Sequence, residues 1–223
     1  MSLIPLYDTI RSRRFPLVNW ILILANAAVF WVELRIGEAA LQNFIFTWGL
    51  VPAQFLSAPR ETWLTIFTSM FLHGGWFHLL SNMWVLYIFG DNIEDRVGPA
   101  PYLLFYLLSG AAAALLQTFI APDSSIPMIG ASGAIAGVLG AYLISYPGAR
   151  IASLVPILFI FTIVDVPAVI FLIFWFVSQL YSGLFAIQGG SASGIAWWAH
   201  IGGFIFGLII VSFFGRRTVY QSY

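Results

Sequence analysis

The stretch GASGAIAGVLGAYLISY, from Gly130 to Tyr146, decides the fold. It holds no charged residue, and Gly133 and Gly137 recur at four-residue spacing with Ala136 and Gly140 offset beside them. Small residues at that period let membrane helices approach backbone to backbone. The rest of the chain agrees with a lipid solvent. Of 223 residues only 8% are charged and 61% are apolar, with a mean hydropathy of +0.93. A typical soluble domain has about 25% charged residues and needs a polar exterior that this composition does not supply. The chain is therefore counted in bilayer crossings of about 20 residues each.

Outward from that fourth span, apolar runs mark five more. The first extends from about Phe15 to Val32, behind Arg11, Arg13 and Arg14, and is too long for a signal-peptide core. Residues from Glu33 to Gly75 mix prolines, charges and aromatics and read as a long loop at the membrane interface. The second span covers about Trp76 to Gly90 and ends in the polar stretch Asp91 to Gly98; the third covers about Pro101 to Ile120. Between Ile151 and Ile187 the sequence reads as a partly buried loop to about Val166, then a fifth span from about Pro167 to Ala186. The Gly-rich segment Gln188 to Gly194 leads to a sixth span from about Trp197 to Phe214. Six crossings place Arg11, Arg13, Arg14, Arg96, Arg150, Arg216 and Arg217 on one side, and only Arg35 and Arg60 on the other. By the positive-inside rule both termini are cytoplasmic. In a prokaryote the membrane is the cell (inner) membrane.

Strongly polar groups at membrane depth are costly and are functional candidates by default. His78, Ser81 and Asn82 stand at i, i+3 and i+4 of the second span, on one helical face. Ser132 opens the fourth span and His200 lies one turn into the sixth. Even-numbered spans run from outside to inside, so all these groups share the outer part of the bilayer. Ala199, Gly203 and Gly207 give the sixth span the same small-residue groove as the fourth. Two grooved helices can bring a hydroxyl to an imidazole, a pairing in which histidine acts as general base toward serine. Asn82, His78 and the backbone N–H of Ser132 are then donors for a developing oxyanion.

At these residues the sequence resembles the rhomboid family of intramembrane serine proteases. Gly130-Ala131-Ser132-Gly133 is similar to the family's GxSG nucleophile motif, and Ala199-His200-Ile201-Gly202-Gly203 with Gly207 is similar to its AHxxGxxxG helix. The run from His73 to Asn82 resembles its second-span pattern, and Gly90 with Glu94 to Gly98 its capping stretch. The resemblance covers about Trp63 to Gly207. It implies an all-α polytopic membrane protein, a six-transmembrane-helix rhomboid-like bundle of the minimal form. Residues 1–14 and 215–223 would be cytoplasmic segments around a catalytic membrane domain, 15–214. Ser132 would be the nucleophile and His200 the general base and acid, in a cavity opening to the outer side. The expected activity is endoproteolysis of single-span transmembrane protein substrates near small residues. The fifth span's Phe171, Phe174 and Trp175, with the Gly189 to Gly194 loop, would form the substrate gate. One departure stands out: some family members stack an aromatic, four residues after the nucleophile, on the catalytic histidine, whereas this chain has Ala136. Something else must orient His200. Asp165 lies toward the cytoplasmic side, too far to complete a triad.

Composition removes other classes. Nine Arg, no Lys and nine acids give zero net charge and no footprint for nucleic acid. Zero Cys excludes disulfides, thiolate zinc sites and cysteine nucleophiles. There is no HExxH zinc motif, no pair of membrane aspartates, and no half-to-half repeat of the transporter kind. No cofactor or metal is expected; lipid is the one partner besides substrate. His73 fits either a cavity position or a loop anchor, and oligomeric state leaves no signal.

Overall fold

The computed structural model describes residues 4–157, 160–187 and 196–214. Strand β1 (Ile4–Asp8) precedes helix α1 (Leu17–Arg35). Four short helices follow, α2 (Glu38–Trp48), α3 (Pro52–Ser57), α4 (Pro59–Thr62) and α5 (Thr65–Thr68). Then come α6 (Trp76–Val97), α7 (Pro99–Ile120), α8 (Ser132–Ser145), strands β2 (Arg150–Ile157) and β3 (Ile160–Pro167), α9 (Ala168–Ile187) and α10 (Trp197–Ile210). Each of the six expected apolar segments is helical. Three of them, α1, α7 and α9, are long and apolar enough to cross a membrane.

Helix α8 is the hub of the bundle, with every residue from Gly133 to Tyr142 buried. It packs chiefly on α10, and it also touches α7 and α6. The glycines explain the closeness of α8 and α10: a Cβ at Gly203 would collide with the Gly133 carbonyl oxygen, one at Gly207 with that of Gly137, and one at Gly140 with that of Phe204. No side chain fits between the two backbones at those points.

A second set of contacts fixes α1. The Glu94 carboxylate, buried near the end of α6, accepts the N–H groups of Val18 (3.0 Å) and Asn19 (2.7 Å). These are first-turn amides without intrahelical partners, where a carboxylate is most favourable. Asn19 donates its amide to the Leu86 carbonyl (3.1 Å) and accepts the Tyr102 hydroxyl (2.8 Å), tying α1 to α6 and α7. Helix α6 therefore continues to Val97, seven residues past the expected end at Gly90.

Two expectations are corrected. The chain is not all-α, because β1, β2 and β3 form an antiparallel three-stranded sheet in that order. The segment up to Val166 is not a loop but a hairpin, registered from Arg150 opposite Pro167 to Ile157 opposite Ile160. Its residues 151–164 carry no charge and include many β-branched side chains, which suit a pleated, half-buried surface. The third strand comes from the N-terminal segment, with Ile4 opposite Leu154 and Asp8 opposite Ile151. This sheet sits at the end of α8 remote from Ser132. There Asp8 accepts hydrogen bonds from the Tyr142 hydroxyl and from Asn92 Nδ2 (2.9 Å), and Trp84 Nε1 donates to the Pro5 carbonyl (2.7 Å).

Burial pushes the Asp8 carboxyl up to about 6; the Tyr142 hydrogen bond opposes the shift and the neighbouring Asp91 adds to it. A raised folded-state value means that docking of β1 is favoured by protonation and weakens as pH rises from about 4 through about 6. Hydrogen exchange of the β1 amides, corrected for intrinsic rates, is expected to show stronger protection at pH 5 than at pH 7.5. Asp8→Asn should flatten that dependence. Equal pH dependence in both proteins would contradict the assignment to Asp8.

Candidate functional site

A cavity of about 520 Å³ opens among the first turns of α6, α8 and α10 and the segments around Ser69 and Met128. Ser132, His200, His78, Ser81 and Asn82 all line it, so the polar residues expected to converge do so. Ser132 enters from the N-terminus of α8, where the chain turns at Gly130 with φ +118°. That left-handed backbone favours glycine, and a Cβ there would stand 2.7 Å from the His78 ring. The Gly130 N–H donates to the Ser69 carbonyl (2.9 Å) and pins the turn.

Across the groove, His200 Nε2 lies 2.8 Å from Ser132 Oγ. The other ring nitrogen, Nδ1, is 2.7 Å from Gln179 Oε1 on α9. The His200 ring also packs near Trp175, with centroids 6.0 Å apart and planes tilted by 36°, and meets the Trp197 ring edge-on at 6.1 Å.

Opposite this pair, His78 Nδ1 accepts the Gly74 N–H at 3.4 Å, so Nε2 carries the proton and faces Gly130. The Asn82 amide is held by His73. His73 Nδ1 donates to the Phe71 carbonyl (3.3 Å), leaving Nε2 to accept one hydrogen of Asn82 Nδ2 at 3.1 Å. The second hydrogen of that amide is available on the Gly130 side, where a Cβ at Gly130 would lie 3.6 Å from Nδ2. His73 is thus a loop anchor: it is 2% exposed, and its own N–H donates to the Glu33 carboxylate at 3.2 and 3.3 Å. Ser81 Oγ donates to the His78 carbonyl of its own helix (3.1 Å).

The three aromatics expected at the gate occupy three different environments. Phe171 is buried in the core, Phe174 is exposed, and Trp175 is half-buried against His200 and Phe204. The Gly189 to Gly194 loop and the arginines 216 and 217 lie outside the described residues. Sequence reading missed Gln179, although an amide inside an otherwise apolar helix was a visible signal. Asp165 pairs with Ala152 in the hairpin, at the sheet end of the molecule.

A bundle whose composition fits lipid defines a polytopic membrane protein, and this one holds a serine and a histidine in contact over an internal cavity. The Rhomboid domain family model matches residues 60–217, and the chain belongs to the rhomboid family. It is an integral membrane protein. Among its relatives are Rhomboid-like protein 11, chloroplastic, of Arabidopsis thaliana, 32% identical over 49% of this chain and 39% of the relative. RHOMBOID-like protein 1 of the same plant is 35% identical over 43% and 24%. Presenilin-associated rhomboid-like protein, mitochondrial, of Bos taurus is 27% identical over 83% and 49%. The chain spans less than half the length of each of these relatives.

Proposed function

We propose that the protein is an intramembrane serine endopeptidase that hydrolyses peptide bonds in or near the transmembrane segments of single-span substrates. The observation that carries this reading is the 2.8 Å contact between Ser132 Oγ and His200 Nε2 at the wall of a cavity that His78, Ser81 and Asn82 also line. Family membership supports it independently.

In the proposed reaction the Ser132 hydroxyl gives its proton to His200 Nε2 as its oxygen bonds to the substrate carbonyl carbon. The carbonyl oxygen, now an oxyanion, is met by the Asn82 amide, the His78 Nε2–H and the Ser132 N–H at the positive end of α8. His200 then protonates the departing amine, leaving an acyl-enzyme. Water then attacks the ester carbonyl and gives a proton to His200 Nε2, which passes it to Ser132 Oγ as the acyl C–O bond breaks, releasing the carboxylic acid product and regenerating Ser132. A membrane helix must unwind locally to expose its carbonyl, so glycine in the substrate lowers the cost.

Six crossings with both termini cytoplasmic follow from the arginine distribution, with α8 and α10 shorter than the three full-length spans. Helix α8 has 14 residues and rises about 21 Å, against a hydrocarbon thickness of about 30 Å. Spanning from the cytoplasmic side, it would leave Ser132 below the outer surface, where irregular backbone is tolerated only around a polar cavity. Lateral entry past Phe174 and α9 is the proposed substrate route.

Cleavage of a reporter transmembrane segment by the purified protein in lipid is the test. Activity should vanish in Ser132→Ala and in His200→Ala while both proteins stay folded. Robust cleavage by either variant would rule out the dyad. Asn82→Ala should lower kcat by about ten- to a thousandfold if its amide meets the oxyanion; a near wild-type rate would make it a helix-packing residue.

A further inference from the structure

We infer that Gln179 is the positioning residue that sets the tautomer and orientation of His200, in the place that an acid occupies in a catalytic triad. This rests on the dyad reading above and adds a third member to it.

Four observations converge on the assignment. First, Gln179 Oε1 lies 2.7 Å from His200 Nδ1 while His200 Nε2 lies 2.8 Å from Ser132 Oγ, so hydroxyl, imidazole and amide form one continuous chain. An amide oxygen only accepts hydrogen bonds. The proton therefore resides on Nδ1, and the lone pair on Nε2 faces the serine, as a general base requires. Second, the amide itself cannot easily turn over. Its Nε2 donates to Ser178 Oγ at 3.1 Å, and Ser178 Oγ in turn donates to the Trp175 carbonyl at 2.6 Å. Third, Gln179 is 7% exposed on a helix whose outer face is aliphatic and aromatic. A buried amide is costly without partners, and His200 is the partner that satisfies its oxygen.

The fourth observation is the periodicity of α9. Trp175, Gln179 and Gly183 stand at i, i+4 and i+8, on one face. Trp175 presents its ring to the imidazole, Gln179 reaches Nδ1, and Gly183 lets Trp197 and Trp198 at the start of α10 come close, within 3.3 to 3.5 Å of where its Cβ would be. This face supplies what Ala136 on α8 lacks. An aromatic contact and a hydrogen-bond acceptor both reach the histidine from α9, so the orientation of the base depends on α9 being docked against α10.

During catalysis the proton leaving Ser132 goes to Nε2, and the Nδ1 proton stays on the ring, bonded to Gln179 Oε1 throughout. The interaction strengthens as the imidazole becomes positively charged, because hydrogen bonds from charged donors are the stronger ones. Gln179 thus acts on the transition state through His200 and touches no substrate atom.

The test compares Gln179→Met, which keeps volume but loses the acceptor, with Gln179→Glu, which keeps an oxygen acceptor. Steady-state cleavage of the reporter segment and the rate of fluorophosphonate labelling of Ser132 are both measured in lipid. The Met variant is expected to lose about ten- to a hundredfold in kcat with KM within about twofold, and to lose a similar factor in labelling rate. The Glu variant should recover most of both losses. A Met variant with kcat within about twofold of wild type would overturn the assignment, and so would a Glu variant as slow as Met. If Gln179→Met fails to fold, nitrogen-15 NMR of the three histidines in the wild-type protein decides, with His200→Ala assigning the signal. A proton on Nδ1 is expected, and one on Nε2 would overturn the inference. Ser132→Ala separates the two readings. Loss of cleavage there with full activity in Gln179→Met removes only the Gln179 role, whereas retained cleavage in Ser132→Ala removes the dyad itself.

Discussion

The backbone contact between α8 and α10 is the constraint on which the rest of the molecule depends. Lipid offers no hydrophobic drive for helices to associate, so close packing and polar contacts must hold them. A Cβ at Gly203 or Gly207 of α10 would strike the carbonyl of Gly133 or Gly137 on α8, and one at Gly140 of α8 would strike the carbonyl of Phe204 on α10. That closeness brings the first turns of both helices together. With thicker residues at the seam, the imidazole would stand away from the hydroxyl, and the 2.8 Å contact would be lost.

Polar groups inside the bundle then do two jobs. Some are structural bolts: Glu94 satisfies the open amides of α1, Asn19 and Tyr102 extend that link, and Glu33 with His73 fastens the segment entering α6. Others face the cavity, and three of these are held from behind by a second residue. Asn82 is backed by His73, His78 by the Gly74 amide, and His200 by Gln179. A site arranged in this way holds its donors in place before any substrate arrives, which is how preorganised polar groups contribute most to catalysis.

Much of this was legible in the chain. Apolar runs gave the helices, and the polar exceptions Ser132, His200, His78 and Asn82 gave the cavity, because lipid makes each exception conspicuous. The failures have physical causes. Helix α6 outlasts its apolar run because Glu94 near its end is buried against the first turn of α1, a tertiary effect that an apolar run does not register. The β-hairpin read as a loop because its first strand, central in the sheet, pairs on its other side with residues 4–8, between 143 and 150 positions away in sequence. Charge and small-residue patterns do not reveal such long-range pairing. Gln179 was in plain view, yet its meaning depends on which face of α9 meets α10, and a uniformly apolar helix does not declare its inner face.

The most direct test of the central claim is to map the site of a fluorophosphonate adduct by peptide mass spectrometry after reaction in lipid. Activation of Ser132 by His200 predicts a single adduct on Ser132, lost when His200 is replaced by Ala. An adduct elsewhere, or labelling of Ser132 undiminished in His200→Ala, would contradict the account.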